Sequence, residues 1–197
     1  PAEEHLPSGP GSELLRELMR EATAVVADHP VNAARIAAGK RPANAVWLWG
    51  QGKAPRMPSF AESHGLKGAI ISAVDLVRGV GVLAGWTRID VPGATGYLDT
   101  DYEAKGKYAI DALNDYDLVC VHVEAPDEAS HEGRADAKVE AIERMDSAIV
   151  GPIRDALGTG KYGDWRILIT PDHSTLLRTR AHDRAPVAWA ISGKGIK

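Results

Sequence analysis

The apolar positions fall into two textures along the chain. From Ser12 to about Asp28, Leu14, Leu15, Leu18, Met19, Ala22, Val25 and Val26 recur at helical spacing, with Ser12 placed to cap the helix. His29-Pro30 ends it, and a second short helix fits Asn32–Ala38, stopped by Gly39. After Pro42 the pattern changes to short runs that are apolar along their whole length. Six of these read as strands: Asn44–Gly50, Gly68–Ala73, Thr87–Val91, Asp117–Val123, Arg166–Thr170 and Pro186–Ser192. Helical patterns lie between them. One is a short helix with the Ser59/Glu62 capping-box pair, stopped by Gly65. Others run from Asp75, as cap, to Ala84 with Gly85 as the stop, and over Asp101–Asn114 and Asp136–Leu157. Strands alternating with helices, and apolar throughout, predict an α/β fold with a parallel sheet covered on both faces. The expected division is a helical piece, 1–43, followed by the layered part, 44–197.

Composition narrows the classes of function. The chain has 197 residues, 44% of them hydrophobic and 25% charged, which suits a folded protein rather than a disordered one. A net charge of -4 excludes a surface built to coat nucleic acid or an anionic membrane. The single cysteine, Cys120, excludes an internal disulfide framework and a cysteine-based zinc ribbon; inside an apolar strand it is expected to be inert. No apolar run is long enough for a transmembrane helix, and no signal peptide is visible. The ends, Pro1 and Lys197, are expected to be cuts through a longer protein.

In a parallel sheet, ligands bind beyond the carboxyl ends of the strands. Three of the seven histidines fall in such loops, each beside an acid: Asp127 with His131, Asp172 with His173, and His182 with Asp183. Aspartate and neutral histidine suit zinc, manganese or related divalent ions. Asp127 and His131 are four apart, so one turn aims both at one ion. Asp172 and His173 are adjacent; they point apart in an extended segment but reach one ion, or two neighbouring ions, in a tight loop. His122 reads as a core histidine, and His5, His29 and His64 as surface residues. Gly50-Gln51-Gly52-Lys53, following a strand, offers backbone N–H groups and Lys53 to a phosphate, but it lacks the spacing of a Walker A loop and a plain strand-to-helix turn is the preferred reading. The loop 92–100 either lines the site or is a structural turn. Trp47 and Trp49 alternate along a strand and are expected in the core. The glycines 79, 81 and 85 fall inside a helical pattern, which excludes a dinucleotide fingerprint.

Taken in order, WLWGQGKAP, GAIISAVDLVRG, GATGYLDT, HVEAPDEASHEG, TPDHST and a histidine shortly before Pro-Val resemble the 2,3-bisphosphoglycerate-independent phosphoglycerate mutases of the archaeal type, in the alkaline phosphatase superfamily. The resemblance spans about residues 12–197. It implies an alkaline phosphatase-like layered sheet with helices on both faces, preceded in 1–43 by the helical tail of an inserted, substrate-side domain. It also implies two divalent ions (manganese, zinc, magnesium or cobalt), one held by Asp127, His131 and His182, the other by Asp172 and His173. The family completes the second site with an aspartate and a serine nucleophile on N-terminal segments that these 197 residues lack, so no nucleophile is assigned here and this stretch alone is expected to be inactive. The implied activity is cytoplasmic interconversion of 3-phosphoglycerate and 2-phosphoglycerate through a phosphoserine. A phosphatase or phosphotransferase of the same superfamily, and a non-catalytic metal-binding module, are the alternatives. Neither a nucleic acid nor a membrane is an expected partner; self-association through an uncovered apolar sheet edge is. The His182–Ala188 run lacks the second proline the family usually shows after Pro-Val, which bears on loop shape rather than on the ligand.

Overall fold

The computed structural model describes residues 2–50 and 52–196, which divide into two units, 1–54 and 55–197. In the first, a 3-10 turn (Ala2–His5) precedes helices α1 (Ser12–Ala27) and α2 (Pro30–Ala37). Gly11, not Ser12, is the N-cap of α1, and no side chain caps that end. His29 is more than a surface residue: its ring nitrogen accepts from Val31 N at 3.3 Å and caps α2. Asn32 is buried, and its amide donates to Val26 O and Ala43 O while accepting from Ala43 N, at 2.6, 2.7 and 2.8 Å. One side chain thus ties the following coil back to both helices. That coil is where a strand was expected over Asn44–Gly50; it forms none, and Trp47 and Trp49 are 41% and 80% exposed rather than in a core. Apolar alternation alone makes no strand where no neighbouring strand accepts its hydrogen bonds. The glycine-rich turn therefore follows coil. Its Gln51 lies outside the described residues, and Lys53 is exposed.

The second unit follows the predicted order more closely. Helix α3 (Phe60–His64) opens with the Ser59/Glu62 capping box and closes at Gly65. Strands β1 (Gly68–Ile71), β2 (Thr87–Arg88) and β3 (Leu118–Val121) form a parallel sheet in the order β2-β1-β3, with every residue of β1 buried. Between β1 and β2 runs α4 (Asp75–Leu83), which includes Gly79 and Gly81 as helix; its N-cap is Val74, while Asp75 sits in the first turn 3.5 Å from Arg78. Helix α5 (Tyr102–Ala112) starts at Asp101, whose carboxylate accepts from Ala104 N at 2.8 Å. The core lies where α5 and the later helices meet the sheet: Ile71, Val91 and Ala109 form one cluster, and Tyr102, Ala125, Ala141 and Ile149 another.

The remaining strands depart from the expected single parallel sheet. Strands β4 (Arg166–Ile169) and β7 (Ala190–Gly193) pair antiparallel with each other, and β5 (Ser174–Leu176) forms an antiparallel hairpin with β6 (Ala181–Asp183). In β4, Leu168 and Ile169 are 58% and 42% exposed, although a wholly apolar strand normally marks burial on both faces. The segment after β3 is helix α6 (Ala125–Glu132), not loop. No described helix is long and apolar enough to cross a membrane.

The predicted long helix is present but not uniform. It comprises α7 (Ala135–Met145), a π-helical turn (Asp146–Val150) and α8 (Gly151–Gly158). Pro152 has no N–H, so it cannot donate to Ala148 O as the α pattern requires. That oxygen faces α5 at Gly106, where a Cβ would lie 2.3 Å from it. Gly106→Ala is therefore expected to destabilise by about 1–3 kcal/mol through overpacking. Gly79→Ala, with open space around it in α4, should instead gain roughly 0.5–1 kcal/mol. Denaturant titration of both variants checks the pair.

Lys105, on α5, is fully buried, and its ammonium donates to His122 O at 3.3 Å. Burial pushes its pKa from the ordinary 10.5 to about 8, against partial support from Glu124. Between those two values the unfolded chain holds the proton that the folded chain has released, so stability rises with pH across that window. The gain is on the order of 3 kcal/mol. Lys105→Met should remove this rise relative to wild type in denaturant titrations at pH steps across the window.

Candidate metal centre

Four pieces of the second unit deliver the polar groups of the site. Helix α6 presents Asp127 and His131 one turn apart on one face. The loop after β4 presents Asp172 and His173. In the β5–β6 hairpin, Thr175 and His182 are directly opposed, so their side chains share a face. From β3 the chain continues into His122 and Glu124.

Asp127, His131 and His182 each place one donor atom within 4.8 Å of the others. His131 Nε2 lies 3.1 Å from Asp127 Oδ2, His182 Nε2 lies 3.6 Å from Asp127 Oδ1, and the two Nε2 atoms are 3.1 Å apart. The tautomer of His131 is set from behind. Its Nδ1 is 2.9 Å from Arg180 O, and a carbonyl only accepts, so Nδ1 carries a hydrogen and, in the neutral ring, Nε2 is bare. Against a bare His131 Nε2, His182 Nε2 either donates a hydrogen or shares a cation with it. The donor set thus fits a divalent ion: one carboxylate and two imidazoles, with an outer partner already orienting one ring.

Asp172 and His173 come together rather than pointing apart. The loop bends, His173 N donates to Asp172 Oδ1 at 2.9 Å, and His173 Nε2 lies 3.5 Å from Asp172 Oδ2. The His173 ring stacks on His182 at 3.8 Å between centroids, which makes the two groups of ligands neighbours. All five residues expected as ligands therefore gather in one place. Lys53 lies in the other unit, on exposed coil.

Several contributors carried no signal in the sequence. Thr175 is buried; its hydroxyl donates to Asp127 Oδ1 and lies 3.3 Å from His173 Nδ1. Lys138, on α7, donates to Ser130 Oγ at 2.7 Å and to Thr175 O at 3.3 Å, tying α6 to the hairpin. Ser130 is fully buried and passes its own hydrogen to Pro126 O. His122 is the partly buried histidine its strand suggested, but it is also a link: Nδ1 meets Ser72 Oγ at 3.2 Å and Nε2 meets Glu124 Oε2 at 3.3 Å. Burial pushes His122 below the ordinary histidine range. Burial also pushes Glu124 above the usual carboxylate range, with Asp127 and Asp172 adding repulsion. Glu124, Asp127 and Glu128 form a second convergence of carboxylates, visible only once α6 is known to be a helix. Burial raises the Cys120 thiol, which keeps its thiolate fraction low.

Arg180 takes a left-handed backbone, φ 54°, the sole non-glycine residue to do so among those described. This conformation aims its carbonyl at His131. Its guanidinium lies over Gly133, the left-handed C-cap of α6, where a Cβ would come within 2.7 Å of Nε. The loop 92–100 is chiefly a structural turn, closed by buried Thr100 accepting from Thr95 N at 3.0 Å, but Tyr97 reaches the end of α6 and donates to Glu132 at 2.5 Å.

Comparison with known proteins bears on this geometry. The model of the Metalloenzyme superfamily matches residues 12–197. A 2,3-bisphosphoglycerate-independent phosphoglycerate mutase of Methanothrix thermoacetophila is 50% identical over 197 residues, covering 100% of this chain and 50% of the relative. A probable enzyme of the same description from Geobacter sulfurreducens is 55% identical over 188 residues, 95% of this chain and 47% of the relative. The chain thus spans about half the length of the curated relatives it matches. Among solved structures, a protein of Pyrococcus horikoshii superposes with a TM-score of 0.80 at 34% identity, over 94% of this chain and 48% of that one. A cofactor-independent phosphoglycerate mutase of Thermoplasma acidophilum gives 0.51 at 26% identity, over 83% and 41%. The α/β fold and the motif resemblance are both borne out, and the chain belongs to the Metalloenzyme superfamily.

Proposed function

We propose that this chain carries the metal-binding half of a cofactor-independent phosphoglycerate mutase, and that the whole protein interconverts 3-phosphoglycerate and 2-phosphoglycerate through a phosphoserine. The observation that supports it most is the convergence of the Asp127 carboxylate with the Nε2 atoms of His131 and His182, in a chain whose close relatives bear that enzyme's name. In this reading those three residues hold one divalent ion, and Asp172 and His173 contribute to a second. Mixed nitrogen and carboxylate donors suit manganese, zinc or cobalt better than magnesium, which prefers oxygen.

A phosphate ester resists attack because its oxygens repel a nucleophile; bound divalent cations supply the charge that offsets this and stabilises a leaving alkoxide. The protein's part is to hold its ligands ready. Arg180 O keeps a hydrogen on His131 Nδ1 and so keeps Nε2 free. Lys138 holds the helix that bears Asp127 against the hairpin that bears His182. Ser72 is buried, and in this reading its hydroxyl supports His122 rather than reaching a substrate. In this reading the nucleophilic serine and one further aspartate come from segments outside these residues. The substrates belong to central carbon metabolism, and on that ground we place the protein in the cytoplasm.

Two expected outcomes follow from this assignment. His131→Ala should weaken manganese or cobalt binding at least ~10–100-fold, the range that loss of an outer-shell partner alone produces. His64→Ala, whose ring stacks on Phe60 in α3, should leave binding unchanged, and titration calorimetry reads both. In an enolase-coupled assay the 197-residue polypeptide should show no turnover, while a chain of the relatives' full length should turn over phoshoglycerate in preference to an aryl phosphate. The reverse substrate preference would favour a phosphatase.

A further inference from the structure

We propose that Thr175 is a positioning residue that sets the tautomer of His173 and the orientation of Asp127 through a single hydroxyl. The argument follows the protons. A threonine hydroxyl has one hydrogen to give and lone pairs to receive. Of its two side-chain partners, the Asp127 carboxylate only accepts, so the hydrogen goes to Asp127 Oδ1. With that hydrogen committed, the oxygen meets His173 Nδ1, 3.3 Å away, as an acceptor. Asp172 Oδ2 lies 3.5 Å from the other ring nitrogen without a hydrogen bond to it, so Nδ1 carries the hydrogen of the neutral ring and Nε2 is left bare. In the same stroke Asp127 is pinned by Oδ1 while its Oδ2 faces His131 Nε2 at 3.1 Å.

The placement of Thr175 supports this role. Its side chain is buried, it sits opposite His182 in the hairpin register, and its carbonyl is held by Lys138. Its hydroxyl touches a residue from each of the two neighbouring ligand groups, Asp127 in one and His173 in the other. Arg180 O does for His131 what Thr175 does for His173, so two separate devices leave two imidazole Nε2 atoms bare. Without the hydroxyl, nothing on the Nδ1 side of His173 selects its tautomer, and Asp127 loses its charge-assisted donor.

The consequence for cation affinity rests on the function proposed above; the tautomer itself does not. The first test therefore uses the metal-free protein near pH 8, with long-range proton–nitrogen correlation spectra of the histidine rings and His173→Gln to assign the signals. Wild type should show His173 as the Nδ1–H form, Thr175→Val a mixture, and Thr175→Ser the wild-type form again. An Nε2–H form in wild type overturns the proposal, even if the valine variant fails to fold. The second test titrates manganese or cobalt alone by calorimetry, with circular dichroism to confirm folding. Thr175→Val should bind ~10–100-fold more weakly and Thr175→Ser within about threefold of wild type. Wild-type affinity in the valine variant, or a serine variant as weak as the valine one, overturns it. Absence of binding by wild type itself would remove the metal reading and leave Thr175 to be judged by the tautomer.

Discussion

The Asp127 carboxylate is the group on which this structure turns. Both α6 and the β5–β6 hairpin touch it, through His131 on its own helix and through His182 and Thr175 across the gap. A carboxylate this enclosed is costly unless each oxygen has a partner. Thr175 supplies a donor to Oδ1, and helical periodicity and strand register bring His131 and His182 beside the carboxylate. Lys138 then ties the two elements together, donating to Ser130 Oγ on the helix and to Thr175 O on the hairpin.

Behind this layer the parallel sheet acts as a platform. Strand β1, buried along its length, aligns β3, and β3 delivers His122 and Glu124 to the edge of the site. The buried ammonium of Lys105 lies beneath that edge and accepts the cost of desolvation for a single bond to His122 O. Glu124, at that edge, in turn favours the charged form of the lysine and so offsets part of the cost of its burial.

Much of this was legible in the sequence where local rules suffice. The Ser59/Glu62 box, the helix read from Asp101 and the strand read from Gly68 depend on neighbours a few positions away; the box forms as read, and the helix and strand form within the ranges read for them. The ligand clusters were legible because acids and histidines at strand ends have few other reasons to gather. What failed depends on distant partners. Asn44–Gly50 had a strand's pattern but no strand to pair with, and β4 found an antiparallel mate where a parallel one was expected. The π-helical turn needs both Pro152 and the oxygen it leaves facing Gly106, residues far apart in sequence. Thr175 and Lys138 were illegible for another reason: a threonine in a strand and a lysine on a helix are unremarkable until the proton count around them is known.

The left-handed backbone at Arg180 bears on how this protein can vary. Hairpin loops ordinarily tolerate added or lost residues, because only their ends are constrained. Here the connection between β5 and β6 has a third fixed point. Arg180 N is bonded to Leu176 O at 2.7 Å while Arg180 O reaches His131. Adding or removing one residue between positions 177 and 180 would turn that carbonyl away and free the imidazole to take the other tautomer. A surface loop with no ligand of its own is in this way held to one length, and its sequence can drift only where its length does not.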